Sequence, residues 1–194
     1  MDSSAAYEIN SKKYLNKRNN SLVGFKIAQE WVKKLDLESE ILEVACGAGF
    51  PITKELVDAG MKVWAIDSSK TLLSDFSSRY PDIPVSCEKI QESKLFERKF
   101  DAAISIGLVF LLNEIDQEVF FKKVSGSLKP EGRFLFTAPT QKARWNDLNT
   151  GIECYSLGFK RYKKILNTRG LKIIGRYMDK GKNNYYEVKK ISHA

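Results

Sequence analysis

The chain has 194 residues, of which 43% are hydrophobic and 29% charged. That length fits one domain with a full core, and the composition excludes a disordered chain or one that needs disulfide staples. The formal charge of +8 is uneven: residues 1–150 hold 21 basic and 21 acidic side chains, whereas residues 151–194 hold 11 basic and three acidic.

In chain order, residues 1–10 are polar, lack the apolar core of a secretory signal and read as a flexible tail. Residues 11–36 read as helices before the core; Val23, Ile27, Trp31 and Leu35 recur every four residues, which predicts an amphipathic helix over 22–35. Glu40–Ala45 reads as a buried strand running into the glycine-rich turn Cys46-Gly-Ala-Gly49. Pro51 suits the first turn of a following helix, which Gly60 stops. Lys62–Ile66 is a strand, Ser69–Arg79 a helix, Ile83–Cys87 a short strand and Phe100–Ile106 a strong one. Asp116–Leu128 reads as a helix, Lys129-Pro-Glu-Gly132 as a turn and Arg133–Thr137 as a strand. Residues 138–156 read as a loop and Phe159–Asn167 as the last helix, before two closing strands, Leu171–Met178 and Tyr185–Ile191. Strands alternating with helices predict a doubly wound α/β protein with a mostly parallel sheet and a closing hairpin, in one domain over 11–194.

No apolar run approaches roughly 18 residues, so no membrane span is expected. Cys46, Cys87 and Cys154 are widely spaced, odd in number and without a C-x-x-C pair. This argues against a disulfide framework or a zinc site, and a reducing cytoplasm is the simplest compartment. The basic segment 151–194 has the charge to attract nucleic acid, but its simplest reading is a solvated lysine-rich surface.

The chemistry concentrates in Glu43-Val-Ala-Cys-Gly47-Ala-Gly49, with Asp67 ending the next strand. Gly47 and Gly49 let backbone approach a ligand, and the following helix aims free N–H groups at the same place. Asp67 lies 20 residues after Gly47, which in a βαβ unit sets its carboxylate within reach of ribose hydroxyls. A dinucleotide fingerprint needs a third glycine where Ile52 stands, and pyrophosphate gains nothing from Glu43. A dehydrogenase is therefore the weaker reading. S-adenosylmethionine, with a ribose and two cationic groups, fits better.

The chain resembles the class I S-adenosylmethionine-dependent methyltransferases over residues 12–192. Ile41-Leu-Glu-Val-Ala-Cys-Gly-Ala-Gly49 is similar to that family's first motif and Val63-Trp-Ala-Ile-Asp-Ser68 to its second. Phe100–Ile106 and Leu128–Thr137 resemble its fourth and fifth strands. Gly49–Thr53, Gly107–Leu112, Phe134–Pro139 and Asn183–Tyr186 resemble a subgroup of small bacterial members. The resemblance implies a seven-stranded Rossmann-like sheet with an antiparallel C-terminal strand. It implies that Glu43, Ala45, Cys46, Gly47 and Gly49 line the methionine part of the cofactor. Asp67 would hold the ribose, and Ser68, Glu88, Lys89 and Ile90 would lie by the adenine, although Glu88 stands where Asp is commoner. Ile106 and Gly107 would close over the methyl-bearing face, with Tyr14 and Arg18 folded over the cofactor and Arg18 meeting its carboxylate.

Such an enzyme mainly aligns its reactants, and a dedicated base is optional. The only histidine, His193, stands next to the chain's last residue and is not expected to be one. Ser105-Ile-Gly-Leu108 stands where amino-directed nucleobase enzymes carry Asn/Asp-Pro-Pro-aromatic, C5 enzymes a Pro-Cys pair and metal-dependent catechol enzymes a carboxylate. No metal is expected. Phe110, Leu111, Trp145, Tyr155, Tyr185 and Tyr186 are candidates for a pocket suited to a small, partly apolar acceptor. The alternatives are a protein or RNA methyltransferase docking an acidic partner through residues 151–194, and a non-catalytic S-adenosylmethionine-binding regulator. Nucleic acid is not the expected partner, and the oligomeric state is open.

Overall fold

The computed structural model describes residues 2–191; His193 lies outside them. The N-terminal segment forms α1 (Ser3–Ile9), α2 (Ser11–Arg18) and α3 (Phe25–Val32). Then β1 (Glu40–Val44), α4 (Ile52–Asp58), β2 (Lys62–Asp67), α5 (Lys70–Arg79), β3 (Val85–Cys87) and β4 (Phe100–Ser105) alternate. After β4 come α6 (Glu114–Ser127), β5 (Leu128–Thr137), β6 (Lys142–Asn146), β7 (Glu153–Leu157), α7 (Gly158–Asn167), β8 (Leu171–Met178) and β9 (Asn184–Lys190).

Seven strands form one sheet in the order β3-β2-β1-β4-β5-β9-β8. β3, β2, β1, β4 and β5 pair in parallel, and β9 is antiparallel to both of its neighbours. The central strands are covered on both faces and accordingly read as apolar runs, broken in β1 by Glu43: Ile41, Leu42 and Val44, then Ala102, Ala103 and Ile104, are all buried. Phe120, Phe121, Phe134, Phe136, Tyr162 and Tyr186 fill one face, and Ala28, Trp31, Ile52, Leu56, Leu135 and Tyr185 fill the other.

Four local readings need correction. The expected tail is helix α1; Asp2 caps it by accepting from the Ala5 N–H, and Ala6 is buried. The helix predicted over 22–35 begins only at Phe25. Gly24, at φ 85°, turns the chain into it, which leaves Val23 41% exposed and outside the helix. The turn at Lys129–Gly132 is absorbed within β5 as a slip in pairing: Phe100 faces Leu128, but Ala102 faces Arg133. Finally, the loop 138–156 contains the antiparallel pair β6–β7. Lys142–Asn146 alternates polar and apolar residues over a stretch of only five, and Glu153–Leu157 does not alternate strictly, so the pair is weakly marked in the sequence. Outside contacts hold them: Trp145 packs on Phe110, and Gln117 Nε2 donates to both the Leu112 and Tyr155 carbonyls.

Candidate functional site

A cavity of about 390 Å³ opens at the C-terminal ends of β1, β2 and β4, where an open α/β sheet places its ligands. At its floor the chain leaves β1 through Ala45 (φ 60°) and Gly47 (φ 58°), both left-handed. The Ala45 and Cys46 N–H groups both donate to the Ile66 carbonyl. Asp67 spans this turn and the next helix: Oδ2 accepts from the Gly47 N–H at 2.8 Å, and Oδ1 from the Ser69 N–H at 2.9 Å. Burial pushes the Asp67 carboxyl above its ordinary range, against the pull of these backbone donors. Each carboxylate oxygen retains accepting capacity beyond one such bond.

The cavity brings together Tyr14, Arg18, Ala45, Gly47, Asp67 and Ser68 with Glu88, Lys89, Ile90, Ile106, Gly107, Phe110 and Leu111. Tyr14 leans over the Gly47 turn, about 3.7 Å from where a Cβ would stand. Arg18 donates to the Val23 carbonyl at 3.1 Å. Glu88 Oε1 accepts from Ser86 and Ser93 hydroxyls at 2.8 and 2.6 Å. The Gly107 N–H is already committed to Thr137 Oγ1 at 2.7 Å.

Three of the motif positions stand behind this surface rather than on it. Glu43 is buried beneath the turn and accepts from Thr53 Oγ1 at 2.6 Å. Desolvation raises its carboxyl to about 8. Cys46 packs with Ala65, Leu73 and Phe76, and burial pushes its thiol up. Gly49, at φ 81°, lies against Tyr80, and a Cβ there would come within 2.5 Å of that ring. Its glycine is required by this close approach, in a conformation L side chains rarely adopt.

Four acceptor-pocket candidates are also displaced. Tyr185 and Tyr186 are fully buried in the two core layers, the first hydrogen-bonded to Asp179 and the second stacked on Phe136. They face the sheet's interior because β9 is a central strand, not an edge. Trp145 backs Phe110 at a ring separation of 5.5 Å without lining the cavity, and the Tyr155 hydroxyl is bound to Glu153.

Sequence reasoning set residues 11–36, with Tyr14 and Arg18, over the site but missed the rest of its cover. Ser3, Ser4 and Tyr7 of α1 and Asp147 and Asn149 at the β6–β7 tip line the cavity, as does Val23 before α3. The readable signal was Asp147-Leu-Asn-Thr-Gly151, a side chain–backbone turn: Asp147 Oδ2 accepts from Asn149 N, Thr150 N and Thr150 Oγ1. Among the described residues no helix is long and apolar enough to cross a membrane.

Residues 41–132 match the family model of a methyltransferase domain. No curated protein matches the chain. Among solved structures, a TehB-like SAM-dependent methyltransferase from Corynebacterium glutamicum superimposes with a TM-score of 0.72 at 17% identity, covering 94% of this chain and 98% of that one. The 1,6-didemethyltoxoflavin-N1-methyltransferase of Burkholderia thailandensis, with 1,6-didemethyltoxoflavin and S-adenosylhomocysteine bound, gives 0.75 at 12% identity over 99% and 92%. A glycopeptide N-methyltransferase complexed with S-adenosylhomocysteine gives 0.71 at 16% identity over 86% and 90%.

Proposed function

We propose that this chain, a class I S-adenosylmethionine-dependent methyltransferase, methylates a small-molecule acceptor inside the cavity over β1, β2 and β4. The observation that carries the reading is the Asp67 carboxylate, held by the Gly47 and Ser69 N–H groups on the floor of a cavity about 390 Å³ in volume. That volume suits small ligands, for which roughly 300–1,000 Å³ is usual. The donor set fits the cofactor. Asp67 is a carboxylate with lone pairs left for ribose hydroxyls. Leu72 and Ile90 offer apolar surface for a base, and Arg18 a cation for a carboxylate.

When bound, the cofactor supplies a methyl group already activated on a sulfonium. The chain's own residues then have three tasks. Asp67 and the Ala45–Gly47 backbone fix one ligand. Ile106, Phe110 and Leu111 give the acceptor an apolar wall. The cover of α1, α2 and the β6–β7 tip limits water. Alignment of this kind contributes roughly 7–11 kcal/mol, so no histidine base is required. The small cavity and its two-sided cover favour a small acceptor over a folded protein or RNA, and two of the similar structures are named for small-molecule and glycopeptide methylation.

Titration calorimetry tests the reading. S-adenosylmethionine and S-adenosylhomocysteine are expected to bind, with no measurable NAD affinity. Tight NAD binding without either of them overturns it.

A further inference from the structure

The cavity's cover carries a polar pair that the cofactor reading does not use. Asp147 spends Oδ2 on its own turn, accepting from Thr150 N at 2.9 Å, Thr150 Oγ1 at 2.7 Å and Asn149 N at 3.2 Å. Among the described residues its other oxygen, Oδ1, has no hydrogen-bond partner and the residue forms no ion pair, although Lys17 and Arg18 line the same cavity. Across from it, Tyr7 sets its ring edge-on to Tyr14 at 5.3 Å. Asn149 Nδ2 approaches the Tyr7 hydroxyl as a donor at 3.5 Å, so the phenol is an acceptor there and its own proton stays available. Burial, with the Asp147 charge adding to it, holds this phenol well above its ordinary range and thus neutral. The cover therefore contributes one hydrogen-bond donor and one carboxylate acceptor to the same cavity.

Asp147 belongs to the hairpin that is fixed against the wall proposed above for the acceptor. Trp145, two residues before Asp147, packs on Phe110, and Gln117 ties the same hairpin to Leu112. The tip is thereby fixed against the apolar wall of Phe110 and Leu111. We propose that Tyr7 and Asp147 together select the acceptor, and that the acceptor is a small planar nitrogen compound. It would present an N–H to Asp147 Oδ1 and an adjacent lone pair to the Tyr7 hydroxyl, with its ring against Phe110. An aminated nitrogen heterocycle has this arrangement. An ether, a thioether or a tertiary amine has no proton to give to Asp147 Oδ1.

The inference rests on the cofactor reading, so the test separates the two. The protein is loaded with S-adenosylhomocysteine and titrated with three flat two-ring probes. At an alkaline pH that keeps its ring nitrogen unprotonated, 2-aminoquinoline has the donor and the acceptor, quinoline only the acceptor and 2-naphthylamine only the donor. 2-Aminoquinoline is expected to bind about tenfold or more tighter than either partner probe. Asp147→Asn keeps an oxygen for the Thr150 turn but offers N–H groups in place of Oδ1. It is expected to lose about tenfold in 2-aminoquinoline affinity, with quinoline and S-adenosylhomocysteine unchanged. Tyr7→Phe is expected to remove the advantage of 2-aminoquinoline over 2-naphthylamine. Equal binding of the three probes, no binding of 2-aminoquinoline, or an unaffected Asp147→Asn variant overturns the proposal while the cofactor reading stands. Failure of S-adenosylhomocysteine itself to bind overturns both.

Discussion

Asp67 and Glu43 are two buried carboxyls that face opposite demands. Asp67 is supplied with backbone N–H donors and turned to the cavity, whereas Glu43 has a single hydroxyl partner and no cavity surface. Asp67→Ala is expected to weaken S-adenosylmethionine by about 1.5–3 kcal/mol, the worth of hydrogen bonds to a charged group. That is about 10- to 150-fold in Kd, read by calorimetry. Glu43 governs pH instead. Its carboxyl ionises near its ordinary 4.5 when unfolded but only at about 8 when folded. Between those values the folded state holds the extra proton, so the group costs stability progressively as pH rises from 4.5 to about 8. Below that window it costs nothing, and above it the cost is constant. Glu43→Gln retains an acceptor for Thr53 and is expected to flatten this part of the profile in denaturant unfolding of the cofactor-free protein. An unchanged slope would show that Glu43 is ionised in the fold.

At the scale of elements, the cover is held by few points. Glu8 of α1 binds the Ser69 and Thr71 hydroxyls and accepts from the Thr71 N–H, so it sits at the N-terminus of α5. Asp2 pairs with Lys89 just beyond β3. A carboxylate at a helix N-terminus contributes about 0.3–1 kcal/mol. Glu8→Ala is therefore expected to raise proteolytic cleavage within residues 2–20 about two- to fivefold, and bound S-adenosylhomocysteine to suppress the difference. Cleavage equal to wild type without ligand would mean that α1 is fixed by Tyr7 and Ala6 alone. The β6–β7 hairpin belongs to the same scale. β6 is largely exposed whereas β7 buries Cys154 and Ser156, and the hairpin is placed by Trp145 on Phe110 and by Gln117.

Across the whole molecule the net charge resides in residues 151–194, yet α7 turns Tyr162, Ile165 and Leu166 inward and leaves Lys160, Lys163 and Lys164 in solvent. Arg161 is taken up by Glu114 and Glu118 of α6. A row of solvated lysines without an accompanying base-reading surface predicts only salt-sensitive, non-specific attraction. No sub-micromolar RNA binding is expected at physiological salt. Tight, sequence-preferring gel shifts with methyl label on the RNA would replace the small-molecule acceptor by a nucleic acid. Any residual binding is expected to fall with salt at a log–log slope of about −0.7 per phosphate contact on single strands.

By itself the sequence determined the parallel core, because strands buried on both faces must be mostly apolar, as Ala102–Ile104 is throughout and Ile41–Val44 is apart from Glu43. It also determined the Gly47–Asp67 pairing, whose 20-residue spacing is the length of one βαβ step. The tertiary structure alone decided which side chains reach the cavity. Glu43, Cys46 and Gly49 share a motif with Gly47 but point into packing against Thr53, Phe76 and Tyr80. Tyr185 and Tyr186 look like pocket aromatics until β9 is seen to pair with both β5 and β8, which buries them. Tyr7, Asp147 and Asn149 lie about 140 residues apart in polar segments without periodicity. Periodicity reports which face of an element meets the core; it does not encode contacts between segments that meet only after the core has formed.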